Sequence, residues 1–444
     1  MKSWLQTILL CTSIIIAGLL IRQYLLLYTL RADLGEFQVQ QALDDIERYH
    51  IRKLTNDEKI QSILAGLTSA LGPYARYYSP EDLVDRMESL EGSFVGIGIN
   101  FKVISGHITI VYPIPGTAAE KGGLKTGDKL LEADGKTLVN LKAEDARKLL
   151  TGPINSVIKL KIERPGEQSP REVTLIRTSV PSSSVRYVHV LPDGKTGFIY
   201  VADFSRETAP QLEHAIATLR SSGATRLILD IRHNGGGLMD AGVDVADLFI
   251  EKGVIVTVKS GNQEDPYQTD IFRAKKEGTI GDLPIALLVD NGSASSSEIF
   301  AAAMKYHKRA VLVGEKTYGK GTVQQIFQRG LGGWGLKFTV AMFYSPDGMR
   351  IDGNGIEPTF RVAQSEETFL LNALRFDVEE VRRYLPDYTP IEGRSKFTLE
   401  HILGMKDAAV DAALLALDGQ PVTETPLPSP TPAPSPSGSG DSAE

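Results

Sequence analysis

Ile285-Ala286-Leu287-Leu288-Val289-Asp290-Asn291-Gly292-Ser293-Ala294-Ser295-Ser296-Ser297-Glu298 runs from five consecutive apolar residues through a polar turn into a segment whose apolar positions, Ile299, Ala302, Ala303 and Tyr306, recur at helical spacing. A buried strand feeding directly into a helix is the repeating unit of an α/β fold. The same alternation recurs nearby: residues 197–201, 226–231 and 310–313 read as buried strands, 209–220 as a helix, and 336–343 as a longer strand. Residues 196–362 are therefore expected to form a mixed sheet with flanking helices.

Outward from this core the character changes. Residues 92–178 carry short β-branched runs at 108–111, 129–132 and 157–162, with one helix at 143–150, which predicts a small β-rich module. Residues 34–90 read as helical, with Ile60, Ile63, Leu64, Leu67 and Leu71 as a core-facing stripe and Gly72-Pro73 as the break. Helices are also expected at 368–385 and 399–417, and Pro421 onward is too poor in large apolar residues to bury a core. The expected organisation is a signal anchor or signal peptide (1–30), a helical cap (31–91), the β-rich module (92–178), the α/β core (179–365), a C-terminal helical region (366–418) and a disordered tail (419–444).

Composition removes several function classes. A net charge of -7 offers no basic stripe to neutralise phosphates, so no nucleic-acid partner is expected. The single cysteine, Cys11, excludes an intrachain disulfide, and the seven histidines show no metal-site spacing, so neither metal nor cofactor is expected. Behind Lys2, residues 8–21 are apolar without a charge and resume at 24–30. As helix the uninterrupted part spans about 21 Å, short of a hydrocarbon core of about 30 Å, whereas 4–30 would span it if Arg22 snorkels. Export follows from either reading. The absence of an A-x-A-like site favours an uncleaved transmembrane anchor over a cleaved signal peptide, and hence an extracytoplasmic, periplasmic or cell-envelope location at the inner membrane.

Three segments carry chemistry. Ser293, Ser295, Ser296 and Ser297 precede a helix, where unpaired amides can stabilise an oxyanion. Serine with glutamate three residues on is also an ordinary N-cap, and composition does not choose among the four hydroxyls. Gly314 to Gly321 places Lys320 among glycines, which suits either a desolvated base or a surface turn. The same stretch fits the opening of a phosphate-binding loop, but Gly321 stands where a magnesium-holding hydroxyl is required and residues 323–327 read as strand. Leu229 to Gly237 ends a buried strand in three glycines, so its backbone can approach a ligand closely or simply flex.

Taken together, ALGPYARYYSPEDL (70–83), FVGIGI (94–99), 229–237, SASSSE (293–298), GKGTVQQ (319–325) and GNGIEP (353–358) resemble, in order, the signature blocks of the carboxyl-terminal processing (tail-specific) serine proteases. The resemblance implies a serine endopeptidase acting on proteins or peptides with free C-termini. It assigns Ser295 as nucleophile, Lys320 as general base and Gln324 as the residue orienting that lysine, with Lys320 and Gln324 on one face of a strand. The oxyanion donors would be the amides of Gly236 and Ser296. The module 92–178 resembles an inserted PDZ domain, with Val95, Gly96, Ile97, Gly98 and Ile99 as its carboxylate-binding loop. Two residues depart from the pattern: Gly235 stands where the family has proline, implying a looser turn, and Ser296 where it has alanine, adding a second hydroxyl. Related enzymes imply a homodimer through terminal helices. The competing classes are a PDZ-bearing peptide-binding protein with an inactive core, and an NTPase.

Overall fold

Thr55 accepts the Glu58 amide while the Glu58 carboxylate accepts the Thr55 amide, a reciprocal cap that starts the helix Asn56–Ala70. The computed structural model describes residues 37–260, 269–275, 280–329, 333–363, 365–389 and 406–425, with positions 16, 19–20 and 22–23. The chain divides into two compact units, residues 1–79 with 336–338, and residues 80–335 with 339–444. In the first, helices at 37–49 and Asn56–Ala70 precede the short strand Arg76–Tyr78. The apolar stripe behaves differently from its expected role: Ile60, Ile63, Leu67 and Leu71 are exposed, with none of the described residues covering that face.

The membrane-spanning expectation is corrected. Among the described residues no helix is long and apolar enough to cross a membrane. The uninterrupted apolar stretch is itself shorter than a bilayer core, and most of the signal segment 1–30 lies outside the described residues, as do 390–405 and the tail from 426.

In the second unit, β1 (Ile99–Ile104) and β2 (His107–Pro113) form a hairpin within a six-stranded antiparallel sheet, with α1 (Ala143–Leu150) packed on it. Ile108, Ile110, Leu130, Ile158, Leu160 and Ile162 alternate inward and enclose a core of their own with Ala146 and Leu150 of α1. This is the β-rich module read from the sequence.

The α/β core follows. Strands β3 (Val185–Val190), β4 (Thr196–Val201), β5 (Arg226–Asp230), β6 (Ile285–Val289), β7 (Val311–Gly314) and β9 (Phe360–Arg361) lie in that order in one sheet, with only β3 antiparallel to its neighbour. Helices α2 (Thr208–Ser221), α3 (Met239–Asp247) and α4 (Ser296–Tyr306) cover one face, where Ile199, Leu229, Ile285, Leu287 and Val289 point. The other face carries Phe198, Ile228, Ala286 and Leu288 beneath α5 (Glu366–Arg382) and α6 (Ala408–Leu417). Burial on both faces is why β6 is apolar at every position; each such leucine contributes roughly 2 kcal/mol. Strand β8 (Thr322–Arg329) belongs to the second sheet of the core.

Candidate active site

At the end of β6 the chain must turn from a buried strand into α4, and Asp290 organises that turn. Its buried carboxylate accepts the amides of His233 at 2.8 Å, Gly292 at 2.9 Å and Ser293 at 3.0 Å. Ser295 makes the final step with φ 58° and ψ -115°, in the left-handed half of backbone space. A side chain there costs on the order of 1–3 kcal/mol, and it projects from the tip of the turn at the start of the helix.

The four hydroxyls then separate by environment. Ser293 Oγ donates to the Ile231 carbonyl at 2.8 Å, Ser296 Oγ to that of Leu238 at 2.9 Å, and Ser297 Oγ to that of Asn234 at 2.7 Å, and all three side chains are buried. Ser295 alone is half-buried, with its hydroxyl proton on none of these carbonyls. The extra hydroxyl of Ser296 is thus a structural bond to α3's approach rather than a free group.

Glu298 was legible only as a cap. In the structure it is fully buried and accepts four hydrogen bonds: Oε2 from the amides of Ser295 at 2.9 Å and Lys320 at 2.8 Å, Oε1 from the Thr317 hydroxyl at 2.6 Å and the Gly319 amide at 2.7 Å. Burial pushes its pKa above the ordinary glutamate value, while the four donors pull against that push. Because one oxygen accepts from both Ser295 and Lys320, their backbone nitrogens lie within about two hydrogen-bond lengths of each other.

The loop bearing Lys320 is clamped from its other side by the 352–356 segment. Gly353 N–H donates to the Gly319 carbonyl at 2.8 Å, and Ile356 N–H to Thr317 Oγ1 at 2.7 Å. A Cβ on Gly321 would fall 2.2 Å from the Asp352 nitrogen, so backbone meets backbone there and only glycine fits. Lys320 itself precedes β8, which begins at Thr322, rather than sharing a strand with Gln324. The Gln324 amide nitrogen donates to the Thr322 carbonyl and hydroxyl and to the Thr339 hydroxyl, leaving its carbonyl oxygen as the group able to accept from an ammonium. A strand follows Lys320 where a phosphate-binding loop would need a helix.

After β5 the glycine turn packs on the serine. A Cβ on Gly236, whose φ is +92°, would lie 2.7 Å from the Ala294 carbonyl oxygen and 2.9 Å from both Ser295 Cβ and the Ser296 nitrogen. The two expected oxyanion donors are therefore adjacent, but the Gly236 amide donates to Asn234 Oδ1 at 2.9 Å. Replacing proline by Gly235 does not leave the turn loose: Asn234 Nδ2 donates to the Val201 carbonyl at 2.9 Å and Ala294 N–H to the Asn234 carbonyl at 3.0 Å. Just upstream, buried Arg232 pairs with Asp230 and, across the sheet, with Asp407 at 2.8 Å, which also accepts from Asn372 of α5 and caps α6. Those two carboxylates hold the guanidinium pKa above its ordinary value against the opposing pull of burial.

Gly96 to Ile99 border a cavity of about 590 Å³, and Val95 does not line it. Residues of β1 and β3, Arg147 and Leu150 of α1, and Asp377 and Glu380 of α5 are among the others that line it. Ile97 is buried, its carbonyl accepting the Ala119 amide, and Gly98 at φ +82° is pressed against Thr117. The Val95 amide already donates to the Glu88 carboxylate. On the far side, Lys102 pairs with Asp377 at 2.5 Å, and the Tyr112 hydroxyl bonds Glu380 at 3.2 Å.

Among the described residues no group of histidine, cysteine, aspartate and glutamate could hold a metal. Residues 195–362 match peptidase family S41, and residues 109–164 match the PDZ domain. The chain is 34% identical over 328 residues to a carboxy-terminal-processing protease of Bartonella bacilliformis, covering 72% of this chain and 74% of the relative. It is 33% identical over 325 residues to the carboxy-terminal processing protease CtpA of Bacillus subtilis, covering 72% and 67%. Among solved structures, a photosystem II D1 C-terminal processing protease is 27% identical, covering 74% of this chain and 93% of that one, with a TM-score of 0.40.

Proposed function

This chain belongs to peptidase family S41, among the carboxy-terminal-processing proteases, and on that premise we propose that it cleaves protein substrates through an acyl-enzyme on Ser295 with Lys320 as general base. Ser295 Oγ attacks the scissile carbonyl carbon while neutral Lys320 takes the hydroxyl proton. The resulting oxyanion is received by the Ser296 amide and by the Gly236 amide once its bond to Asn234 Oδ1 is given up. Lys320 then returns the proton to the leaving amine. In the second half it deprotonates a water that attacks the ester, releasing the new carboxyl end and restoring the serine. The Gln324 carbonyl oxygen is the group that would orient the lysine.

The observation that carries this reading is the sorting of the four hydroxyls: three are buried on backbone carbonyls, and the remaining one sits on a strained turn whose backbone shares an acceptor with that of Lys320. The cavity beside residues 95–99 supports recognition of a free C-terminus by that loop. The apolar stretch behind Lys2 supports export from the cytoplasm, and the exposed stripe of Asn56–Ala70 is compatible with a homodimer.

The test is cleavage of an unfolded protein bearing an apolar, uncapped C-terminus by the wild type, Ser295→Ala and Lys320→Ala. Loss in both variants is expected, and retained turnover in either overturns the assignment. A second reading, a PDZ-bearing peptide binder with an inactive core, draws on the engaged Gly236 amide. Binding of the C-terminal peptide without turnover by the wild type would select it.

A further inference from the structure

We propose that Glu298 is a positioning residue for the acyl transfer, a single carboxylate that fixes the backbone carrying Ser295 against the backbone carrying Lys320. The inference rests on the Ser295 and Lys320 roles given above. Helix capping accounts for only one of its four donors, the Ser295 amide. The other three come from residues 317–320, twenty or so positions downstream, and none of them is needed to start α4. Each oxygen accepts two bonds, so the lone-pair directions of the carboxylate are filled, and three of the four partners are backbone N–H groups that can only donate. The anion also sits in the first turn of α4, where the helix favours negative charge.

The connection reaches further. Thr317 passes the contact on to Ile356 through the Ile356 amide, so the 352–356 clamp and the start of α4 are joined through this one side chain. A shift of the loop by a fraction of a bond length would move the lysine away from the hydroxyl without altering substrate contacts elsewhere. A misplacement of about 1 Å costs reactions of this kind about 100-fold.

Glu298→Gln keeps the size of the side chain but turns two acceptor sites into an N–H₂ facing donors. Its kcat and KM would be measured on a peptide substrate below the melting temperature, together with the rate at which a fluorophosphonate labels Ser295, both normalised to the folded fraction. The expected result is a kcat and a labelling rate lower by about 100-fold with KM within about 3-fold. Thr317→Val, which keeps shape but loses the hydroxyl, should slow both by about 10-fold, and Thr317→Ser should restore them. If Glu298→Gln does not fold, the Thr317 pair decides alone. A normalised kcat within about 3-fold of wild type in Glu298→Gln, or a Thr317→Val variant as active as Thr317→Ser, overturns the proposal. Labelling that persists in Ser295→Ala overturns the parent reading as well, and so tells the two failures apart.

Discussion

The turn at 290–298 and the loop at 95–99 both present backbone amides beside glycine, yet they are built on opposite terms. Around Ser295 the neighbouring hydroxyls and carboxylates are buried and bonded, and the close packing of Gly236 leaves no room for a methyl group. Around Gly96 to Ile99 the wall stands back to leave a cavity of about 590 Å³ lined by charged and half-buried side chains. A reacting centre gains from donors fixed before the reaction begins, whereas a recognition groove needs space that different chain ends can fill. Rate should therefore be sensitive to small changes in the first region, and affinity to changes in the second.

The largest break expected in that contrast is Ser295→Ala or Lys320→Ala, which should lower kcat by about 10⁴-fold while melting temperature and peptide binding stay near wild type. Next comes Asp407→Ala, which strips Arg232 of one of its buried counter-charges; urea unfolding should show a loss of about 3 kcal/mol. Gly236→Ala, with its Cβ forced onto the Ala294 carbonyl, should cut kcat by about 100-fold with little change in KM. Gly98→Ala tests the other region: its Cβ would lie 2.3 Å from Thr117, and KM for substrates with a free C-terminus should rise by about 10-fold at nearly constant kcat. Equal effects of the two glycine variants on kcat would erase the distinction.

The smallest effect lies outside both regions and serves as a control. Burial pushes the Asp193 carboxyl up, but bonds from Thr196, the Lys195 and Thr196 amides and Arg226 outweigh it and hold its pKa at about 2. A carboxylate depressed in the folded state stabilises above its unfolded value of about 3.9, and that contribution is lost as pH falls from there toward about 2. Melting curves of Asp193→Asn and wild type should therefore converge across that window with catalysis unchanged in form.

The strand-to-helix unit at 285–306 was legible because burial on both faces leaves an apolar mark at every position, and β5, β7 and the 108–111 part of β2 were legible for similar reasons, whereas the hairpin partner β1 was not. What stayed hidden depends on partners distant in the chain. The four serines look alike in composition, and only the carbonyls of Ile231, Asn234 and Leu238 separate them. Glu298 resembled a local cap because three of its donors come from a loop beyond the helix. GNGIEP was visible as a block without a reason until its backbone was seen against Gly319 and Gly321. The stripe from Ile60 to Leu71 has core periodicity, but periodicity cannot say whether one chain supplies the covering surface.

Arg232 lies two residues before Asn234, while one of its counter-ions, Asp407, enters 175 positions later. A ribosome emits this chain from the N-terminus, so Ser295, Lys320 and the glycine turn all emerge well before the turn reaches its final electrostatic balance. A chain halted between Lys320 and Asp407 therefore carries Ser295, Lys320 and the glycine turn without one of the buried anions that steady Arg232.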